Sequence, residues 1–252
     1  AGRRFDGQVA GRRLSDRRDL DSRKKDFRPT VLDFGPVKFL LARHFGFCYG
    51  VENAIEISYK AIEENPDQRI FLLSEMIHNP DVNRDLLSRG VRFIMHTSGE
   101  QIVPWEELKA DDIVIVPAFG TTLEIQNKLS AIGIQSHRYD TTCPFVEKVW
   151  NKAAAIGQEQ YTVVIHGKPS HEETRATFSH SKETAPTVVV RDMHEAEKLA
   201  DVLLGDIAPQ EFYNIFKEQH SVGFDVARDL KRIGVVNQTT MLAAETQAIA
   251  DF

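Results

Sequence analysis

The stretch "YTVVIHGKPSHEET", residues 161–174, decides how the chain is read. An apolar run rich in β-branched residues reaches a glycine, crosses a polar turn, and enters acids that suit the first turn of a helix. A run with no polar alternation marks a strand buried on both faces, as a parallel sheet requires. Ser170 fits the helix cap, and Glu172 and Glu173 complement the positive end of the helix. The unit is therefore a strand, a turn and a helix.

The same unit recurs along the chain. Strand-like runs are "KFLLA" (38–42), "RIFLL" (69–73), "VRFIM" (91–95), "DIVIVPA" (112–118), "QSHRYD" (135–140), "TVVVRD" (187–192) and "RIGVVNQ" (232–238). Helical stripes lie between them. Val51, Ala54, Ile55, Ser58 and Ile62 recur at helical spacing, as do Val146, Val149, Trp150, Ala153 and Ala154. Alternating strands and helices predict an α/β fold of repeated small parallel-sheet βα domains. The expected division is a basic, disordered extension over 1–36, one α/β domain over 37–143 and a second over 144–252. Residues 199–230 read as an inserted helical excursion. "NQTTMLAAETQAIADF" starts a helix at the end of the chain.

Charge is unevenly spread. Residues 1–28 carry ten Lys/Arg and five Asp, a net +5, and the remaining residues carry −11, for −6 overall. An acidic body argues against a nucleic-acid face. The five Asp argue against an organellar transit peptide, and a solvated tail fits the basic segment better than an RNA-binding one. No apolar run reaches the roughly 18–20 residues of a membrane span. Two cysteines make no disulfide framework, so a reducing, cytoplasmic setting is expected.

Ligands of parallel α/β sheets bind at the carboxyl ends of strands, where helix N-termini present free N–H groups. There the chain places Cys48, His78 with Asn79, "FGTT", Cys143, "KPSHEET" and "NQTT". Gly46 and Gly50 flank Cys48, and Pro144 follows Cys143 at a helix start. Such positions favour thiolates, while two buried structural cysteines fit the same pattern. His78 reads as an anion contact or as a bonded loop residue. His171 and Glu173 read as a proton-handling pair or as parts of a cap. "SHEET" lacks the second histidine of the zinc motif, and no local zinc spacing exists for Cys48 and Cys143. The residues assemble thiol, imidazole, carboxylate and hydroxyl groups and leave the reaction open.

Six ordered motifs resemble one family: "FGFCYGVENAIE" (45–56), "EMIHNPDVN" (75–83), "VPAFGTT" (116–122), "DTTCPFVEKVW" (140–150), "HGKPSHEETRATFS" (166–179) and "GVVNQTTMLAAETQ" (234–247). They look like the signatures of the LytB/IspH family of 4-hydroxy-3-methylbut-2-enyl diphosphate reductases. That resemblance implies three α/β domains, two of them within this chain. It implies removal of a hydroxyl from an allylic diphosphate, which gives isopentenyl and dimethylallyl diphosphates at the end of the non-mevalonate pathway. It also implies a [4Fe–4S] cluster on three cysteines and a ferredoxin or flavodoxin as electron donor. By motif, Cys48 and Cys143 would be cluster ligands, and His78 and His171 would bind the diphosphate. Glu173 would deliver a proton, and Thr239 would bond the substrate hydroxyl and relay that proton.

Two positions depart from the family pattern. Phe119 stands where many members have a diphosphate-binding histidine; "PAFG" resembles the form in plants, cyanobacteria and some other bacteria. The third cysteine and a Ser-x-Asn grip on the diphosphate are expected beyond Thr240, outside these 252 residues. The expectation is thus a reductase in its complete form, with the alternative that the chain as given is a non-catalytic fragment of it.

Overall fold

The computed structural model describes residues 28–42 and 46–252. By contact the chain divides into two compact units, one up to Cys48 and the other Tyr49–Phe252.

The first unit is an antiparallel hairpin, β1 (Thr30–Asp33) on β2 (Lys38–Leu41), with Val31 opposite Leu40 and Leu32 opposite Phe39. This corrects two expectations. Residues 30–36 are not part of a disordered tail, since β1 and its turn are ordered by pairing. "KFLLA" is not a strand of the parallel sheet: its partner is β1, and Phe39 and Leu40 are exposed. An apolar run alone does not reveal its partner. The expected disorder of the basic segment up to residue 27 falls outside the described residues.

In the second unit, helix α1 (Tyr49–Glu64) precedes β3 (Ile70–Leu72), α2 (Pro80–Ser88), β4 (Arg92–Phe93), β5 (Ile113–Ile115) and α3 (Leu123–Ile132). β3 lies between β4 and β5, all parallel, with Phe71 beside Arg92 on one side and Val114 on the other. Side chains alternate across the strands. Ile70, Leu72, Ile113 and Ile115 face Ala54 and Ala61 of α1, whereas Phe71, Val114 and Val116 face Leu129 of α3. Each fully buried aliphatic side chain contributes roughly 1.5–3 kcal/mol. "QSHRYD" is not a strand but a 3-10 turn over Ser136–Tyr139, joined to the sheet by a single bridge between Val116 and Asp140. Its Tyr139 ring is buried in the core against α1, and its hydroxyl donates to Glu64 Oε2 at 2.7 Å.

A second sheet follows α4 (Pro144–Gln158). It comprises β6 (Thr162–His166), α5 (Glu172–Ser181), β7 (Thr187–Val190), α6 (Met193–Leu204), α7 (Pro209–Ile215), α8 (Val226–Asp229), β8 (Ile233–Asn237) and α9 (Ala243–Asp251). β6 is central, parallel to β7 and β8, with Ile165 beside Val189 and Val236. Val163, Ile165, Val189 and Val236 pack on Ala153 of α4, and Val164, Val188 and Val190 on Leu199 and Phe212. The helical excursion thus covers one face of this sheet. No helix among the described residues is long and apolar enough to cross a membrane.

Candidate functional site

Both central strands lead into helices whose first turns meet. After β3 the chain reaches His78 and Asn79, and the Asn79 side chain caps α2 by accepting from the N–H groups of Asp81 and Val82 at 3.0 and 3.3 Å. After β6 the cap of α5 is His171 rather than Ser170. Its Nδ1 accepts from the Glu173 N–H at 3.2 Å. A ring nitrogen that accepts leaves the proton on the other, so the neutral imidazole carries Nε2–H. That N–H reaches Nε2 of His78 at 3.1 Å, and the other face of His78 looks toward Glu75 at 3.9 Å. Burial first, and then the electrostatic influence of His78, Lys168 and Arg175, lowers the His171 pKa to about 4.

Phe119 completes this cluster. Its ring lies 4.5 Å from that of His78, tilted by 30°, and 5.4 Å from that of His171, nearly edge-on. The turn that presents it is clamped from the second half of the unit. Gly120 has φ +74°, and a Cβ there would lie 2.5 Å from the Trp150 ring. Trp150 stacks on His180 at 3.8 Å and donates to Thr177 Oγ1 at 3.1 Å, and His180 Nε2 contacts the Thr121 carbonyl at 3.2 Å.

Glu173 points away from the histidines into a buried pair with Thr239. The Thr239 N–H and hydroxyl donate to its two oxygens at 2.5 and 2.8 Å. At 1% exposure its carboxyl has almost no water to stabilise a charge, so burial raises its pKa, opposed by the two Thr239 bonds. Gln238 fixes the relation of the two strand ends. Its Oε1 accepts from the Lys168 N–H and from Thr174 Oγ1 at 3.1 and 3.0 Å, and its own N–H donates to the His166 carbonyl at 2.9 Å. Sequence reading passed over Gln238, Trp150 and His180 as site residues. Their tie to the site runs through contacts between distant segments, and composition carries no trace of those.

The cysteines differ from each other. Cys143 is half-buried directly before α4, and a Cβ at Gly50 would lie 2.5 Å from its Sγ, so the first turn of α1 is held against this thiol by the missing side chain. Cys48 is exposed, at the end of the first unit. The pair is therefore not two buried structural cysteines. Among the described residues no group of three or more His, Cys, Asp or Glu is arranged to hold a metal ion. A four-iron cluster is held by cysteine thiolates, three in the family resembled, and the 252 residues contain two. The residues present do not complete that group.

Two βα sheets whose carboxyl ends converge on imidazoles, a buried carboxyl and helix N-termini define an α/β protein of small parallel-sheet domains. The chain belongs to the LytB protein family, which matches residues 39–252. It is 42% identical over 218 residues to the 4-hydroxy-3-methylbut-2-enyl diphosphate reductase of a Synechocystis strain, an alignment covering 86% of this chain and 56% of that one. It is 43% identical over 215 residues to that of Synechococcus sp. (strain RCC307), covering 85% and 51%. The chain thus spans about half the length of these relatives. Among solved structures it resembles the reductase from Plasmodium falciparum with a TM-score of 0.59 and 22% identity, covering 82% of this chain and 52% of that one. It also resembles (E)-4-hydroxy-3-methyl-but-2-enyl diphosphate reductase, the terminal enzyme of the non-mevalonate pathway. There the TM-score is 0.54 at 25% identity, over 76% of this chain and 64% of that one.

Proposed function

We propose that these residues form the diphosphate-holding and proton-donating part of a 4-hydroxy-3-methylbut-2-enyl diphosphate reductase. As given, the 252 residues bind the diphosphate group without turning the substrate over. The observation that carries this reading is the pair of facing imidazoles, His78 and His171, at the starts of two helices. Two helix N-termini and Lys168 favour an anion between the rings. An entering diphosphate takes the His171 Nε2–H that His78 now accepts. A change of tautomer lets His78 present an N–H of its own to the same anion.

Glu173 suits the donor of the proton that turns a leaving hydroxyl into water, because burial keeps that proton on the carboxyl to higher pH. The Thr239 hydroxyl, 2.8 Å from Glu173 Oε2, suits a relay of that proton. Cys48 and Cys143 offer two thiolates toward a [4Fe–4S] cluster, which would supply the electrons. The incomplete thiol set is what favours the non-catalytic reading of this chain, and a ferredoxin or flavodoxin donor belongs with a complete protein.

Calorimetric titration of the chain with inorganic pyrophosphate tests the site. The expected result is saturable binding, at least about tenfold weaker in His78→Ala. An absence of binding overturns the site. Product formation by the chain given substrate, dithionite, iron and sulfide overturns the non-catalytic half of the proposal.

A further inference from the structure

Gln238 lies just after β8 and directly before Thr239, and it is 2% exposed. Both ends of its side-chain amide are bonded. Oε1 accepts from the Lys168 N–H and the Thr174 hydroxyl, and Nε2 donates to the Thr240 hydroxyl. The Lys168 N–H can only donate, which fixes the orientation of the amide. The main chain of Gln238 is held as well. Its N–H donates to the His166 carbonyl, and its carbonyl accepts from the Met241 N–H and the Asn237 side chain, each at 3.0 Å.

One buried side chain thus ties the turn after β6, the first turn of α5 and the turn after β8. The packing leaves no slack. A Cβ at Gly167 would lie 2.6 Å from Thr174 Oγ1 and 3.1 Å from Gln238 Cβ, so the approach needs bare backbone there. Thr174 follows Glu173 in the chain, and Thr239 follows Gln238. Two neighbouring rungs therefore cross one gap: Thr174 to Gln238, and Thr239 to Glu173. The second rung carries the titrating carboxyl. The first contains no acid and sets the spacing.

We propose that Gln238 is a positioning residue that acts through Thr239, holding the N–H and hydroxyl of Thr239 on the Glu173 carboxyl. The inference deepens the proton-donating role given to Glu173 and takes its catalytic meaning from that reading. The two Thr239 bonds favour the charged carboxyl and oppose the effect of burial. A loosened Thr239 leaves burial less opposed, so Glu173 keeps its proton to higher pH.

The experiment is a carbon-13 NMR titration of the whole chain labelled at the glutamate carboxyls, with Glu173 assigned by the signal missing from Glu173→Gln. Gln238→Met keeps the length and removes the amide. It is expected to move the Glu173 midpoint up by about 0.5–1 pH, the worth of one weakened hydrogen bond. Thr174→Val, which removes only one donor to Oε1, is expected to move it the same way by less, and it answers the same question if Gln238→Met does not fold. In the Thr239→Val background either replacement is expected to add at most about half of its shift, because the hydroxyl it acts through is gone. An unchanged midpoint in a folded variant, with only the thermal transition lowered, would make Gln238 a space-filling residue and overturn the proposal. A full shift in the Thr239→Val background would overturn it too. Pyrophosphate titration of the wild type judges the diphosphate reading separately, since the Glu173 signal is read without ligand.

Discussion

The two three-stranded sheets share one plan and use it differently. In each, the first strand is central, the second pairs on one side and the third on the other: β4-β3-β5 and β7-β6-β8. In each, the central strand feeds a helix whose start faces the site, α2 or α5, and the third strand feeds a turn and another helix, α3 or α9. His78 and His171 thus hold corresponding places, as do the turns bearing Phe119 and Thr239. The first sheet fills these places with an imidazole, an asparagine cap and an aromatic ring. The second fills them with an imidazole that is itself the cap, two buried carboxyls and a hydroxyl. One topology thus supplies the positions twice, and the residues at those positions give the two strand ends different chemistry.

The strongest way to break this picture is to ask whether the two sheets stand alone. Leu72 and Ile165 are fully buried on the two central strands. Replacing either by Ala is expected to cost about 2–5 kcal/mol. The halves are interlocked: Trp150 packs on Gly120, Arg175 binds the carbonyls of Thr97 and Ser98, and Ser179 Oγ accepts from the Leu123 N–H at 3.0 Å. Both variants should therefore unfold in one transition. Tryptophan fluorescence and far-ultraviolet circular dichroism in denaturant check this, and two separated transitions in either variant would divide the unit at about residue 143.

A smaller effect sharpens the contrast between the turns after the third strands. Thr239→Val keeps the shape and removes the hydroxyl that donates to Glu173 Oε2. The loss leaves a buried carboxylate oxygen without that partner, at about 1–3 kcal/mol. Glu173 already has a raised pKa, and the Thr239 bonds hold it down, so the variant raises it further. A carboxyl raised in the folded state costs stability as pH climbs from its unfolded value to its folded one. The deficit of Thr239→Val should thus be small near pH 4 and grow toward pH 8, as chemical denaturation at both values will show. A deficit that does not change with pH would mean the bond serves the neutral acid equally.

The second sheet was the more legible half, and the reason is physical. β6 and β7 are runs rich in Val buried on both faces, so hydrophobicity alone locates them, and the apolar run of β8 is legible too although Ile233 is exposed. The first sheet is built from shorter strands, only Arg92 and Phe93 in β4, whose apolar neighbours serve turns and bridges. Residues 135–140 mislead because Tyr139 is buried as a strand residue would be, through a 3-10 turn. Among the site residues, His78, His171, Glu173 and Thr239 stood out as polar groups at strand ends. The pairing of Glu173 with Thr239, and of one imidazole with the other, depends on how two distant helix starts meet. The role of Phe119 as a ring between imidazoles was equally hidden, since an aromatic at a strand end reads as core.

The smallest expected effect makes the two helix starts alike. His171→Asn gives α5 the kind of cap that Asn79 gives α2, so the N–H of Glu173 keeps an acceptor and stability at pH 7.5 should change by no more than about 0.5 kcal/mol. The difference appears on acidification. In the folded protein His171 titrates near pH 4, well below an unfolded histidine, so between about pH 6.5 and 4 the unfolded chain holds the extra proton. Stability supported by the neutral ring is whole above that window and drains away as pH falls through it. An asparagine side chain has no such proton to gain, so the variant should lose less stability than the wild type from pH 7 to pH 4. Its pyrophosphate binding should meanwhile fall, because the cap survives and the imidazole N–H does not. Identical pH profiles would show that the ring of His171 is not held neutral by its burial and its cationic neighbours.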